Sequence, residues 1–221
     1  EDAFDSKDAY LWDRETRGIQ KWNGQPVAIF DVDDVIAQFR KGFFGWVDDR
    51  FGVKFDLEDP SYYVRQPVGD LSNEEAYMLF IKEGGIRTLP VNKKITAAME
   101  SLRKAGVWIH LLTARPDDNL KCLYDTYWWL SKMGIPYDSA ALSSEKYRWL
   151  TDKPFFKEGK VVCAVDDSPK HALEYAQHDI TVFVPKRAYN EDVWDTENIE
   201  PFDWWEDDLN EKIQRILPKK T

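Results

Sequence analysis

The sequence predicts an α/β fold, a parallel sheet flanked by helices, with a small and mostly helical insertion. Three observations predict it. Short apolar runs at 27–31, 107–112, 139–143, 161–165 and 180–184 alternate with polar or acidic stretches. Segments with apolar residues at helical spacing separate the later runs, and strand–helix–strand alternation implies right-handed parallel crossovers. Between residues 36 and 89 this alternation gives way to glycines, prolines and closely spaced aromatics.

Taken in order, residues 1–25 are polar, with Trp12 and Trp22 as isolated anchors, and predict a packed arm. Pro26 introduces Val27-Ala28-Ile29-Phe30, a buried strand running into Asp31-Val32-Asp33-Asp34. The insertion carries Phe39, Phe43, Phe44, Trp46, Phe51, Phe55, Tyr62 and Tyr63, which most simply form its own core. Within it, Ser72-Asn73-Glu74-Glu75 has the pattern of a capping box. After Pro90, Asn92 caps a helix with Ile95, Ala98, Met99 and Leu102 on one face, and Gly106 closes it. The strand from Val107 ends in Thr113-Ala114-Arg115-Pro116, and Asp117 is expected to open the next helix, closed by Gly134. A weaker strand at 139–143 precedes Glu145-Lys146, and a strong one at 161–165 ends in Asp166-Asp167-Ser168-Pro169. A short helix, the run at 180–184 and a tail with Trp194, Trp204, Trp205 and a helix through Leu209, Ile213 and Ile216 complete the chain. This assigns 1–35 and 90–221 to the α/β core and 36–89 to the insertion.

At 221 residues the chain suits one domain, or one domain with an insertion. The net charge of -10 argues against extended nucleic acids and anionic membranes, which need Lys and Arg to neutralise phosphates. No apolar run approaches the ~20 residues of a membrane span. Cys122 and Cys163 both sit in apolar stretches, which predicts buried thiols and a reducing, cytoplasmic compartment. The acidic start lacks the basic and apolar stretches of a secretory leader, and the absence of a leading Met is expected of a trimmed chain.

Ligands of parallel sheets collect at the carboxyl ends of the strands, where strand order reverses. Asp31, Asp33, Thr113, Lys146 and Asp166 all follow strand ends. Carboxylates crowded there raise one another's pKa unless a cation joins them, and an all-oxygen set selects a hard ion such as Mg2+. Such a group of carboxylates, one ammonium and one hydroxyl matches phosphoryl transfer. A carboxylate can carry the phosphoryl group, and a second one can protonate the leaving oxygen and then activate water.

Asp31-x-Asp33 after a strand, Leu112-Thr113, a later lysine and Asp166-Asp167 after another strand resemble the haloacid dehalogenase-like (HAD) superfamily, in its order, over about Pro26 to Asn190. The resemblance implies a Rossmann-like core with a C1-type cap at 36–89. It implies a Mg2+-dependent phosphomonoesterase with Asp31 as nucleophile, Asp33 as acid/base and Thr113 as phosphoryl-binding hydroxyl. The metal would take Asp31, the Asp33 backbone carbonyl and Asp166, with Asp167 as a neighbour. Lys146 best matches the family's lysine, with Lys153 and Lys157 as alternatives. Asp34 stands where the family usually has Gly; its charge is expected to face solvent. Asp31-Val32-Asp33-Asp34-Val35-Ile36-Ala37-Gln38-Phe39, Gly85-Ile86-Arg87-Thr88-Leu89-Pro90 and Ala188-Tyr189-Asn190 resemble the 5'(3')-deoxyribonucleotidases. That implies a nucleoside monophosphate, its base against Phe39, Phe43, Phe44 or Trp46, with Thr113, Ala114 and Arg115 near the phosphate. The same residue Arg115 is equally suited to a structural salt bridge. A polynucleotide 3'-phosphatase, a phosphatase of another small metabolite and a non-catalytic binding module are the alternatives. The expected partner is a small phosphorylated substrate, with a homodimer allowed and no membrane.

Overall fold

The structure, a computed structural model, describes residues 10–11, 22–62, 67–204 and 208–217. Trp12, Tyr63, Trp205 and most of the expected N-terminal arm lie outside the described residues. In chain order the elements are β1 (Tyr10–Leu11), β2 (Val27–Phe30), α1 (Phe39–Phe51), α2 (Asn73–Lys82), α3 (Lys93–Lys104), β3 (Trp108–Thr113), α4 (Leu120–Lys132), β4 (Ser139–Leu142), α5 (Lys146–Thr151), α6 (Pro154–Lys157), β5 (Val161–Val165), α7 (Pro169–Ala176), β6 (Val182–Pro185), β7 (Ile199–Phe202) and α8 (Leu209–Ile216). Short 3-10 turns occupy Gly85–Thr88 and Ala188–Val193.

The strands form one sheet in the order β1-β4-β3-β2-β5-β6-β7. All neighbours are parallel except β1, which runs antiparallel along β4. β2 is the centre of this order, with β3 on one side and β5 on the other, so the chain reverses direction across the sheet at β2. Successive residues of a strand face opposite sides, and β2 shows it. Ala28 and Phe30 join the cluster beneath α3 and α4, while Val27 and Ile29 join the one beneath α5, α6 and α7. Both faces are therefore covered, as a parallel sheet requires. Among the described residues the insertion shares the core of the sheet. Phe43, Phe80 and Ile86 belong to the same buried cluster as Phe30 and Leu111.

Local signals account for most boundaries. Ser72 and Glu75 close a reciprocal capping box at α2, and Asn92 accepts from the backbone of Lys94 and Ile95 at α3. Gly106 and Gly134 take positive φ after α3 and α4, the left-handed conformation a C′ residue needs. Three expectations are corrected. The helix after β3 starts at Leu120, not Asp117, because the Asn119 carboxamide caps it by accepting from Cys122 N–H at 3.0 Å. The run from Ile180 enters the sheet only at Val182. The sheet also gains two strands at its edges, β1 and β7. Among the described residues no helix is long and apolar enough to cross a membrane, and Cys122 and Cys163 are buried free thiols.

Candidate active site

The site forms where the carboxyl ends of β2, β3 and β5 meet. Asp31 continues β2 by one rung, its N–H donating to the Val165 carbonyl at 2.9 Å. That fixes the side chain, whose Oδ1 accepts from Val32 N–H at 2.7 Å. Lys146, the first residue of α5, reaches in from the end of β4. Its ammonium is 2.9 Å from Asp31 Oδ1 and 2.7 Å from Asp166 Oδ2, and it is 1% exposed. Of the alternative lysines, Lys153 places its ammonium over the Trp149 ring at 4.0 Å, and Lys157 is exposed at the end of α6. Asp166 Oδ1 accepts from Ser168 N–H at 3.0 Å. Asp167 is buried beside it, accepting from the Tyr189 hydroxyl at 2.7 Å, while its carbonyl accepts from Asn190 Nδ2 at 3.0 Å.

One carboxylate oxygen from each of Asp31, Asp166 and Asp167 lies within 4.8 Å of the others, all three side chains buried. Burial, reinforced by Asp166 and Asp33 and opposed by Lys146, pushes the Asp31 carboxyl up to about 6. Burial raises Asp166 and Asp167 as well, and for Asp167 the charges of Asp31, Asp34 and Asp166 add to it. Burial works against the Lys146 ammonium, but Asp166 and Asp31 outweigh it and hold its pKa above the ordinary lysine value. Three buried carboxylates thus lie together, with one ammonium that pairs with Asp31 and Asp166. That charge deficit and all-oxygen donor set fit a hard divalent cation such as Mg2+. Asp167 belongs to this group and is not merely next to it in sequence.

Asp33 is held by an arginine. Arg115 Nε and Nη2 donate to its two oxygens at 2.9 and 2.6 Å, and Arg115 Nη1 donates to Thr126 Oγ1 at 3.0 Å. The guanidinium is fully buried and its three nitrogens are engaged, while the Asp33 side chain keeps 25% exposure. Arg115 therefore occupies the salt-bridge alternative, and its partner is Asp33. Thr113 ends β3 one residue beyond the level of Asp31. Its hydroxyl is buried and has no hydrogen-bond partner among the described residues. Ala114, next to it, is exposed.

Asp34 takes the left-handed conformation (φ 53°) that the usual glycine would supply. Its carboxylate does not simply face solvent. Oδ1 accepts from Arg40 N–H at 3.0 Å, capping the first turn of α1, and burial raises its pKa to about 7. The aromatics of the insertion pack largely on one another. Phe43 stacks between Phe39 and Trp46, Phe44 meets Phe55, and Trp46 Nε1 donates to Glu83. Phe39 and Phe43 both contact Tyr77, whose hydroxyl lies close enough to Asp33 to feel its charge.

Sequence reasoning missed Arg40, Tyr62 and Ser168. Tyr189 and Asn190 were singled out only as a local similarity, and the structure puts both on Asp167. Arg40 had no signal beyond being a cation among aromatics, since its partners are backbone carbonyls.

No protein-family model matches the chain, and no curated protein matches it. Solved structures do. A predicted phosphatase from Clostridium acetobutylicum aligns with a TM-score of 0.61 at 15% identity, over 87% of this chain and 100% of that one. A predicted phosphoglycolate phosphatase from Haemophilus somnus aligns at 0.57 and 11%, over 83% and 96%. The D,D-heptose 1,7-bisphosphate phosphatase from Burkholderia thailandensis aligns at 0.52 and 12%, over 88% and 100%. The fold is the HAD-like fold. Within it the likeness at these identities is one of architecture, and the chemistry must be argued from the side chains.

Proposed function

We propose that the protein is a phosphomonoesterase that forms a phosphoaspartate on Asp31 and acts on nucleoside monophosphates. The observation that carries this reading is the Thr113 hydroxyl, buried without a partner at the strand edge that holds Asp31 and Lys146. Leaving a buried hydroxyl unpaired costs about 1–3 kcal/mol, which an incoming phosphoryl oxygen would recover. Lys146 already bridges Asp31 and Asp166 and would meet the same phosphoryl charge.

Asp31 Oδ attacks phosphorus, and the P–O ester bond breaks toward the leaving group. Asp33 supplies a proton to that oxygen, then accepts one from the water that hydrolyses the phosphoaspartate. Its pairing with Arg115 keeps Asp33 oriented. Mg2+, held by Asp31, Asp166 and Asp167 with the Asp33 carbonyl as a further ligand, would neutralise charge on the phosphoryl group. Phe39, only partly buried and edge-on to Tyr77 near Asp33, is the aromatic best placed to meet a base; Phe43 and Trp46 support it from behind.

The test is a phosphatase screen over nucleoside monophosphates, sugar phosphates and a 3'-phosphorylated oligonucleotide, with Mg2+ and with EDTA. Turnover of the mononucleotides that stops with EDTA and in D31N is expected. Preference for the oligonucleotide or a sugar phosphate would overturn the substrate assignment, and full activity in D31N would remove the covalent step.

A further inference from the structure

The insertion sends one loop back over the carboxylates, and a single buried side chain holds it. Arg40, in the first turn of α1, is 7% exposed. Its Nη1 donates to the carbonyls of Leu57 and Asp59 at 3.3 and 3.1 Å. Its Nη2 donates to those of Ser61 and Tyr62, the latter at 3.1 Å. The flat face of the guanidinium lies 4.0 Å from the centre of the Tyr189 ring, the same tyrosine whose hydroxyl holds Asp167. Tyr62 completes the arrangement. Its ring meets Tyr189 edge-on at 5.5 Å. Its hydroxyl shares a hydrogen bond with the Ser168 side chain and lies within reach of the charges of Asp31, Asp166 and Asp167.

An arginine with four backbone carbonyls on its fork fixes a loop more firmly than packing alone, because guanidinium geometry is planar and its donors are directional. Tyr62 itself stays 37% exposed. What the pinning achieves is the delivery of one phenol to the acidic cluster. A tyrosine hydroxyl is protonated at neutral pH and can donate as well as accept, so Tyr62 brings a donor to this edge of the site.

We propose that Tyr62 is the residue through which the insertion reads the substrate, donating from its hydroxyl to the phosphoryl group or its ester oxygen in exchange for Ser168, and that Arg40 is the positioning residue that holds it there. The inference rests on the phosphomonoesterase reading of the same site and adds its substrate-facing donor on the cap side.

The test uses the full-length chain in two arms. In the first, Y62F raises KM for the best substrate of the screen about 3- to 10-fold, the scale of one neutral hydrogen bond, with melting temperature near wild type. R40K raises KM in the wild-type background but adds little on top of Y62F, because it acts through the same hydroxyl. In the second arm, 3-fluorotyrosine at position 62 gives a 19F resonance that moves when inorganic phosphate and Mg2+ are added. A KM for Y62F equal to wild type, or an unmoved resonance, overturns the role of Tyr62. An equal rise in KM for R40K in both backgrounds, or a fall in melting temperature without a KM change, overturns the role of Arg40. Failure of the parent reading looks different: no phosphomonoester is turned over by wild type, whatever the resonance at position 62 does.

Discussion

Asp34 shows how one residue can answer two local demands. The turn after Asp31 needs a positive φ, and α1 needs an acceptor for its first N–H groups. Glycine would meet only the first. Asparagine would meet both without the charge that burial disfavours. The sign of the pH effect follows. Asp34 has a folded pKa of about 7 against an ordinary 3.8, so its ionisation opposes folding progressively as pH rises from about 4 to 7. D34N is therefore expected to melt above wild type by a small margin at pH 5 and by a larger one at pH 8, by scanning calorimetry without metal. D34G keeps the turn but loses the cap, and is expected to fall below D34N by roughly 0.5–2 kcal/mol at both pH values. At this scale, sequence reading recognised Asp34 as the departure from the family pattern and its tolerance of the backbone angle. It could not see the Arg40 N–H six residues away, because a helix-capping carboxylate outside the helix leaves no spacing signal.

At the scale of elements, the insertion and the sheet share one core, so damage in the first should register in the stability of the whole. Gly85 tests this. A Cβ there would lie 2.0–2.4 Å from the Phe80 ring, which is itself fully buried among Phe39, Phe43 and Trp46. G85A is expected to cost about 1–3 kcal/mol by overpacking, read as a single cooperative shift in urea denaturation. Two separate transitions would show the insertion unfolding alone. The elements themselves were unevenly legible. Apolar runs made β2, β3 and β5 plain, and capping boxes and closing glycines set most helix ends. β7 was hidden because Ile199-Glu200-Pro201-Phe202 buries only its two end residues, contains a proline tolerable only at an edge, and is four residues long. β1 was hidden because two residues paired antiparallel to an edge carry no periodicity at all.

At the scale of the molecule, the buried carboxylates make stability depend on what binds between them. Asp31, Asp166 and Asp167 all have raised pKa values, Asp31 to about 6, so each is harder to ionise in the folded state than in the unfolded chain. A metal must displace any remaining protons. Millimolar Mg2+ is expected to raise the melting temperature more at pH 7.5 than at pH 5, by differential scanning fluorimetry, and D166N to abolish the difference. An equal shift at both pH values would place the ion elsewhere. This convergence was legible in outline, since a parallel sheet brings strand ends together whatever their separation in sequence. Which partners each group takes was not: Asp33 pairs with Arg115 and Asp167 joins Asp31 and Asp166, outcomes decided by side chains on other elements. The turn that begins at Asp31 also supplies, through Asp34 and Arg40, the anchorage of the loop bearing Tyr62. On the proposed reading, the attacking oxygen and the substrate-facing loop are both referenced to the ten residues from Asp31 to Arg40, so exchanging loop residues 57–62 would alter which compound is admitted and leave the attacking oxygen where it is.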